Sequence, residues 1–284
     1  MADAAIEPSF LKEFLLGRQP LSHKWDYGHC LLVCGSSRMG GAAIMATRAA
    51  LHSGCGLVTL HSGRDVCSAA MASCPSAMFS QYDTEVLSEA PSDLSRYRSI
   101  GVGPGLGRDP RTVEALSRLL DAACEKGIPL VVDADALNII SMEPSLMEKL
   151  PKGSVLTPHD GELYRLRPFD DPSSKERAIL HLVERTGCTL VSKGYRTRVY
   201  TPDGKVYVNT TGNPGMAKGG SGDVLTGLLS GLIARGYEGW RAACLAVWIH
   251  GYAADSLSER VGMEAFCASE IVDYLYEGFS ALYK

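Results

Sequence analysis

Residues 209–236, NTTGNPGMAKGGSGDVLTGLLSGLIARG, decide how the rest of the chain is read. Glycines 219, 220 and 222 run straight into a segment whose apolar residues recur at helical spacing: Val224, Leu225, Leu228, Leu229, Leu232 and Ile233. Glycine permits a tight turn and lets backbone amides come close to a ligand. A helix start adds amides without intrahelical partners and the positive end of the helix dipole, so the junction is suited to an anion. Asp223 falls in the first helical turn. Two roles are open to it there: capping the helix, or acting as a base that takes a hydroxyl proton beside a transferring phosphoryl group.

Upstream of this stretch, apolar runs ended by turn residues alternate with helical patterns. HCLLVCG (29–35), GLVTLHS (56–62), RSIGVGPG (98–105), IPLVVDAD (128–135), SVLTPH (154–159) and CTLVSKG (188–194) read as buried strands. Residues 42–53 form a helical pattern closed by Gly54, and another begins near Pro110, an allowed first-turn position. In 196–210, two alternating runs flank Pro202-Asp203-Gly204, which is hairpin chemistry. Strands separated by helices predict a three-layer α/β/α fold with a mainly parallel central sheet and the hairpin at one edge. Residues 1–22 read as an N-terminal arm, a leader helix and then an extended stretch at Gln19-Pro20. Residues 23–284 read as a single domain, since no linker, repeat or charge block interrupts them. Ligands of such sheets bind beyond the carboxyl ends of the strands, where Gly35, Gly103, Asp133, His159 and Lys193 all fall.

Composition narrows the class. Hydrophobic residues make up 45% of the 284 and charged residues 21%, which excludes a disordered chain. The net charge of −4 and the absence of a basic stripe argue against nucleic acid. The apolar stretch from Asp223 to Arg235 is broken by Thr226, Gly227, Ser230 and Gly231 and is too short to span a bilayer. The first residues, MADAAIEPSFLKEF, hold no apolar signal core. Nine scattered cysteines without a Cys-x-x-Cys pair fit small buried hydrophobes in a reducing, cytoplasmic setting.

Other motifs bear on chemistry. GVGPGLG (101–107) departs from the dinucleotide fingerprint, because Pro104 and Asp109-Pro110 interrupt entry into a helix. It suits a loop open to a flat ligand. No phosphate-binding Walker loop and no Gly-x-Ser-x-Gly elbow occurs. His159 in TPHDGE is either a hydrogen-bonding core group or a ligand contact. Asp133 and Asp135 in DADAL serve either a metal or water network or helix capping. Lys193 in SKGYRT is either a nucleotide contact or an ordinary strand-end lysine, and His250 reads as a packed core histidine.

Taken in order, HKWDYGH, GSSRMGGAA, GLVTL, VGPGLG, DADAL, LTPHDGE, SKGYRT, GNPGMAKGGSGDVLTG and IHGYAAD resemble the ribokinase-like family of NAD(P)H-hydrate (NAD(P)HX) dehydratases. The resemblance runs from about His23 to Asp255. It implies a ribokinase-like fold and repair of hydrated nicotinamide cofactors: ADP or ATP is used to remove water from (6S)-NADHX or (6S)-NADPHX. The implied route is phosphorylation of the hydrate hydroxyl, then loss of phosphate helped by the ring nitrogen. By motif, Asp223 is the base, with Gly222 and Gly220 forming the anion hole. Gly41, Ala42, Gly105 and His159 contact the hydrated cofactor together with Asp223. Lys193, Gly194, Tyr195, Arg196, Thr197, Asn213, Gly219 and Gly222 border the nucleotide, and Mg²⁺ accompanies its phosphates. The resemblance further implies a homo-oligomer, a tetramer among the options, and a functional link to a separately encoded epimerase. Trp25, Asp160 and Lys218 depart from the usual family residues. Lys218 is read either as a solvated loop residue or as a contact to phosphate. The competing reading is a small-molecule kinase of the same fold acting on a sugar or vitamin-precursor alcohol, and the third is a nucleotide-binding module without catalysis.

Overall fold

The computed structural model describes residues 3–284. Ten strands form one sheet: β1 (Ala4–Ile6), β2 (His29–Val33), β3 (Leu57–Gly63), β4 (Met78–Tyr82), β5 (Ser99–Val102), β6 (Leu130–Val132), β7 (Val155–Leu156), β8 (Thr189–Ser192), β9 (Arg198–Tyr200) and β10 (Val206–Asn209). The helices are α1 (Pro8–Lys12), α2 (Gly40–Leu51), α3 (Arg64–Ser73), α4 (Pro110–Lys126), α5 (Ala134–Met142), α6 (Asp160–Leu166), α7 (Pro172–Thr186), α8 (Ser221–Arg235), α9 (Gly239–Val261) and α10 (Ala268–Tyr283). Strand order is β1-β10-β9-β8-β7-β6-β5-β2-β3-β4. From β4 to β8 every pairing is parallel, and β9 runs antiparallel to both its neighbours.

Alternation along the strands sends side chains to opposite faces, and both faces are covered. Leu130 and Val132 of β6 join Leu31, Val33, Ile100 and Val102 in a core under α4, α5 and α7. Val131, from the same strand, packs with Val155, Val191 and Val199 under α8, α9 and α10. Cys30, Leu32, Val58 and Leu60 form a third cluster beneath α2 and α3. This is the expected three-layer arrangement.

Helix α8 is buried on all sides from Val224 to Arg235, as a helix apolar all round must be. At the start of α4, Asp109 caps the helix by accepting from the Arg111 amide, with Pro110 as its first residue.

The structure adds two strands that the apolar pattern does not reveal. Met78–Tyr82 extends the sheet at one edge. At the other edge, Ala4–Ile6 pairs in parallel with β10, so the 198–209 hairpin is the penultimate layer of that edge and not its border. The start of the N-terminal arm is therefore a strand followed by a short helix, with Ile6 and Leu11 fully buried in the core. All nine cysteines are free, six of them buried. Among the described residues, no helix is long and apolar enough to cross a membrane.

Candidate active site

The carboxyl ends of β2, β5, β6, β7 and β8 open toward one corner of the molecule. There Arg38, Gly41, Ala42, Gly105, Asp135, Asn138, His159, Glu162, Arg165 and Asp223 line a cavity of about 550 Å³. All five residues expected to contact a hydrated cofactor are thus brought together. Gly105 holds a left-handed conformation (φ 66°), and a Cβ on it would stand 2.8 Å from the Met39 carbonyl oxygen. Only glycine lets this loop lie against the start of α2. The Gly107 amide donates to Asp135 (2.9 Å), which ties the loop to α5.

At the N-terminus of α8, Gly220 is the cap residue, in the left-handed region (φ 98°). It has no side chain with which to cap. The first intrahelical bond is Val224 N–H to the Gly220 carbonyl (3.1 Å), so the Gly222 and Asp223 amides precede any i−4 acceptor and remain available to an anion. Asp223 is the third helical residue and faces the cavity, which overturns the capping alternative for its carboxylate. Burial, together with the nearby Asp133, Asp135 and Glu162 carboxylates, pushes its pKa up from 3.8 to about 6, with Lys193 opposing the rise.

Lys193 lies beneath the turn. Its Nζ stands 2.6 Å from Asp133 Oδ1 and 3.7 Å from Glu162 Oε2, while Thr226 Oγ1 donates to Asp133 Oδ2 (2.8 Å). Burial works against the Lys193 charge, but these carboxylates outweigh it and raise the ammonium pKa. Sequence reading left Asp133 and Lys193 as separate possibilities; the fold joins them across 60 residues as one ion pair. Between Asp133 and Asp135, Ala134 adopts a left-handed conformation (φ 48°), strained for a residue with a Cβ. That turn buries Asp133 against Lys193 and leaves Asp135 on the cavity wall.

His159 is exposed and so is not a core group. Its Nδ1 caps α6 by accepting from the Gly161 and Glu162 amides (2.9 and 3.3 Å), and its ring lines the cavity. The residues expected to border the nucleotide do not share that cavity, apart from the Asp223 turn. Gly194, Tyr195, Arg196 and Thr197 form the β8–β9 turn, where the Arg196 guanidinium lies over the exposed Tyr195 ring (5.8 Å). Thr197 Oγ1 donates to the Gly194 carbonyl (3.0 Å). Asn213 is fixed by Asp255 of α9 (2.8 Å), and Gly219 stands in open space. His250 is buried, and burial followed by the Lys193 charge pushes its pKa down to about 4, as a packed neutral core histidine requires. Asp160 pairs with Lys175 (2.6 Å), and Trp25 is half-exposed beside His29. Neither residue lines the cavity. A second cavity of about 330 Å³, lined by Arg18, His52 and Arg235, lies at the opposite end of α8.

The mainly parallel sheet covered on both faces places the chain in the ribokinase-like class: a ribokinase-like superfamily protein of Enterococcus faecalis superposes with a TM-score of 0.85 at 29% identity, over 98% of this chain and 96% of that one. Within that class, a family model described as NAD(P)H-hydrate dehydratase matches residues 30–277, and the chain belongs to that family. It is 35% identical over 252 residues to an ADP-dependent (S)-NAD(P)H-hydrate dehydratase of Neisseria meningitidis, covering 86% of this chain and 82% of the relative. It is 36% identical to a bifunctional NAD(P)H-hydrate repair enzyme of Moorella thermoacetica, where the match covers 91% of this chain but only 50% of the relative. The chain thus spans about half the length of the bifunctional relatives it matches. An ADP/ATP-dependent NAD(P)H-hydrate dehydratase of Bacillus subtilis, co-crystallised with ATP and Mg²⁺, superposes with a TM-score of 0.85 at 27% identity over 99% of both chains.

Proposed function

We propose that this chain uses ADP or ATP to dehydrate (6S)-NADHX and (6S)-NADPHX, returning NADH and NADPH. The observation that carries the reading is Asp223. A carboxylate with a pKa near 6 faces a cavity and adjoins a turn whose amides are free for an anion. Above pH 6 it is mostly ionised and can take a proton, while its pKa lies close enough to neutrality for efficient transfer. In the first step Asp223 removes the hydrate hydroxyl proton. The oxygen then attacks the terminal phosphorus of the nucleotide, and the bond to the bridging oxygen breaks, releasing AMP from ADP or ADP from ATP. The Gly222 and Asp223 amides stabilise charge on the transferring group. In the second step the ring-nitrogen lone pair expels phosphate, and loss of a proton from the neighbouring ring carbon restores the double bond.

Among the described residues no cluster of three or more His, Cys, Asp or Glu is placed to hold a metal, and Asp133 and Glu162 face Lys193. Asp135 and Glu162, which line the cavity beside Asp223, would hold a magnesium ion together with phosphate oxygens and water. Bound there, magnesium would neutralise phosphate charge. Lys193 holds Asp133 in place beneath the turn. The Tyr195–Thr197 turn and Asn213 border the nucleotide. The test is to incubate NADHX with ADP or ATP and follow the return of the NADH absorbance band together with phosphate release. Nucleotide consumption on a different alcohol, with no NADH formed, would overturn the reading in favour of a kinase.

A further inference from the structure

The loop that carries the anion hole is braced from two sides. On one side, Asp255 accepts from the Gly212 amide (2.7 Å) and the Asn213 side chain (2.8 Å). On the other, the Lys218 side chain crosses to the segment joining α9 to α10. Its ammonium donates to the carbonyl oxygens of Met263 (2.9 Å), Glu264 (3.0 Å) and Phe266 (2.6 Å), and it lies 4.5 Å from the centre of the Phe266 ring. An ammonium has three N–H donors, and all three are used. Lys218 is half-buried, and its ammonium is taken up by protein carbonyls, unlike a freely solvated loop lysine.

Three carbonyl dipoles aimed at one point, with an aromatic face beside them, repel one another unless a small cation sits between them. The braced segments are in direct contact. A Cβ on Gly215 would lie 2.7 Å from the Met263 oxygen and 2.8 Å from the Phe266 ring. A Cβ on Gly220 would lie 3.2 Å from the Ala268 Cβ, at the first residue of α10. Any displacement of residues 262–268 therefore reaches the turn that aims the Gly222 and Asp223 amides.

We propose that Lys218 is a positioning residue for the anion hole, its ammonium serving as a tethered monovalent cation that locks the 263–266 carbonyls against the glycine turn. It touches neither nucleotide nor hydrate. The kinetic consequence rests on the dehydratase reading; the locking does not.

Lys218→Met keeps most of the stem and removes the charge, and Lys218→Arg supplies a planar cation too broad for the three carbonyls. Both variants and the wild type are compared in magnesium-containing buffer whose only monovalent cation is tetramethylammonium, by hydrogen exchange of residues 214–222 and 262–268 and by nucleotide-dependent turnover. In both variants, exchange of these segments is expected to rise about tenfold or more, since three charge-assisted bonds are lost, and kcat/KM to fall by a similar factor. Potassium or methylammonium ions should restore protection and turnover in Lys218→Met and leave the wild type unchanged. Wild-type exchange in Lys218→Met, or loosening that no small cation reverses, would overturn the proposal. If the wild type turns over no NADHX, the dehydratase reading fails, while the exchange data still decide the role of Lys218.

Discussion

Replacing Asp223 by asparagine separates a catalytic carboxylate from a structural one, because the two roles carry opposite signs in stability. The side chain has a folded pKa of about 6 against 3.8 in the unfolded chain, chiefly because burial disfavours its charge. The folded state therefore binds more protons between those values, and stability falls as pH rises through that window. Fully buried, a rise from 3.8 to about 6 is worth about 3 kcal/mol at pH 8, at about 1.4 kcal/mol for each tenfold step. The carboxylate is partly open to the cavity, so solvent screening leaves about 1–2 kcal/mol. Asparagine has the same shape without the charge. Asp223→Asn should therefore be more stable than the wild type at pH 8 by that amount, or a few degrees in Tm, and the difference should vanish near pH 4. Turnover should fall by roughly 10²–10⁴, the usual worth of a general base. Thermal unfolding of both proteins at pH 4, 6 and 8, beside NADH recovery from NADHX, measures both effects. A variant less stable at pH 8 that keeps near-normal turnover would make Asp223 a structural residue and refute the mechanism.

Three further outcomes follow from the same geometry. A side chain at Gly222 points at Lys193 Nζ (3.4 Å) and Asp133 Oδ2 (3.6 Å), so Gly222→Val should lift the turn and weaken nucleotide binding about tenfold or more, read by calorimetry, with the fold retained. The acid limb of kcat/KM should titrate near pH 6; Asp135→Asn removes a neighbouring negative charge and should move that limb down by less than about one pH unit, while still accepting from Gly107. A Cβ on Gly227 would stand 2.0 Å from the Ala46 carbonyl oxygen, so Gly227→Ala should force α2 and α8 apart and cost about 1–3 kcal/mol in denaturant unfolding.

The central layers of the fold are legible in the sequence because strands covered on both faces are continuous apolar runs, as in HCLLV and IPLVV. The edges are not. Met78–Tyr82 is short and mostly exposed or half-buried, with Ser80 and Gln81 adjacent, so its membership in the sheet depends on backbone pairing with β3, which leaves no apolar alternation behind. Ala4–Ile6 is three residues long and pairs with residues some 200 positions away, a contact without a local signature. In each case the missing information is the partner, not the propensity.

The same distinction governs the site. Gly105, His159 and Asp223 are recognisable because each sits in a motif whose local chemistry already suggests a ligand, and the strand order then gathers them around one cavity. Lys193 and Lys218 are not recognisable, since a lysine beside a glycine loop invites a phosphate in any sequence reading. What assigns them is their surroundings in space: two carboxylates for Lys193, three carbonyls and an aromatic ring for Lys218. Both cations are engaged by protein acceptors. The positive potential at this turn thus comes from the free amides and the α8 dipole, and not from either ammonium. That division allows the turn to remain neutral in side-chain charge while a carboxylate beside it keeps a pKa near 6. A free lysine in the hole would pull the Asp223 pKa back toward 3.8 and make it a poorer base.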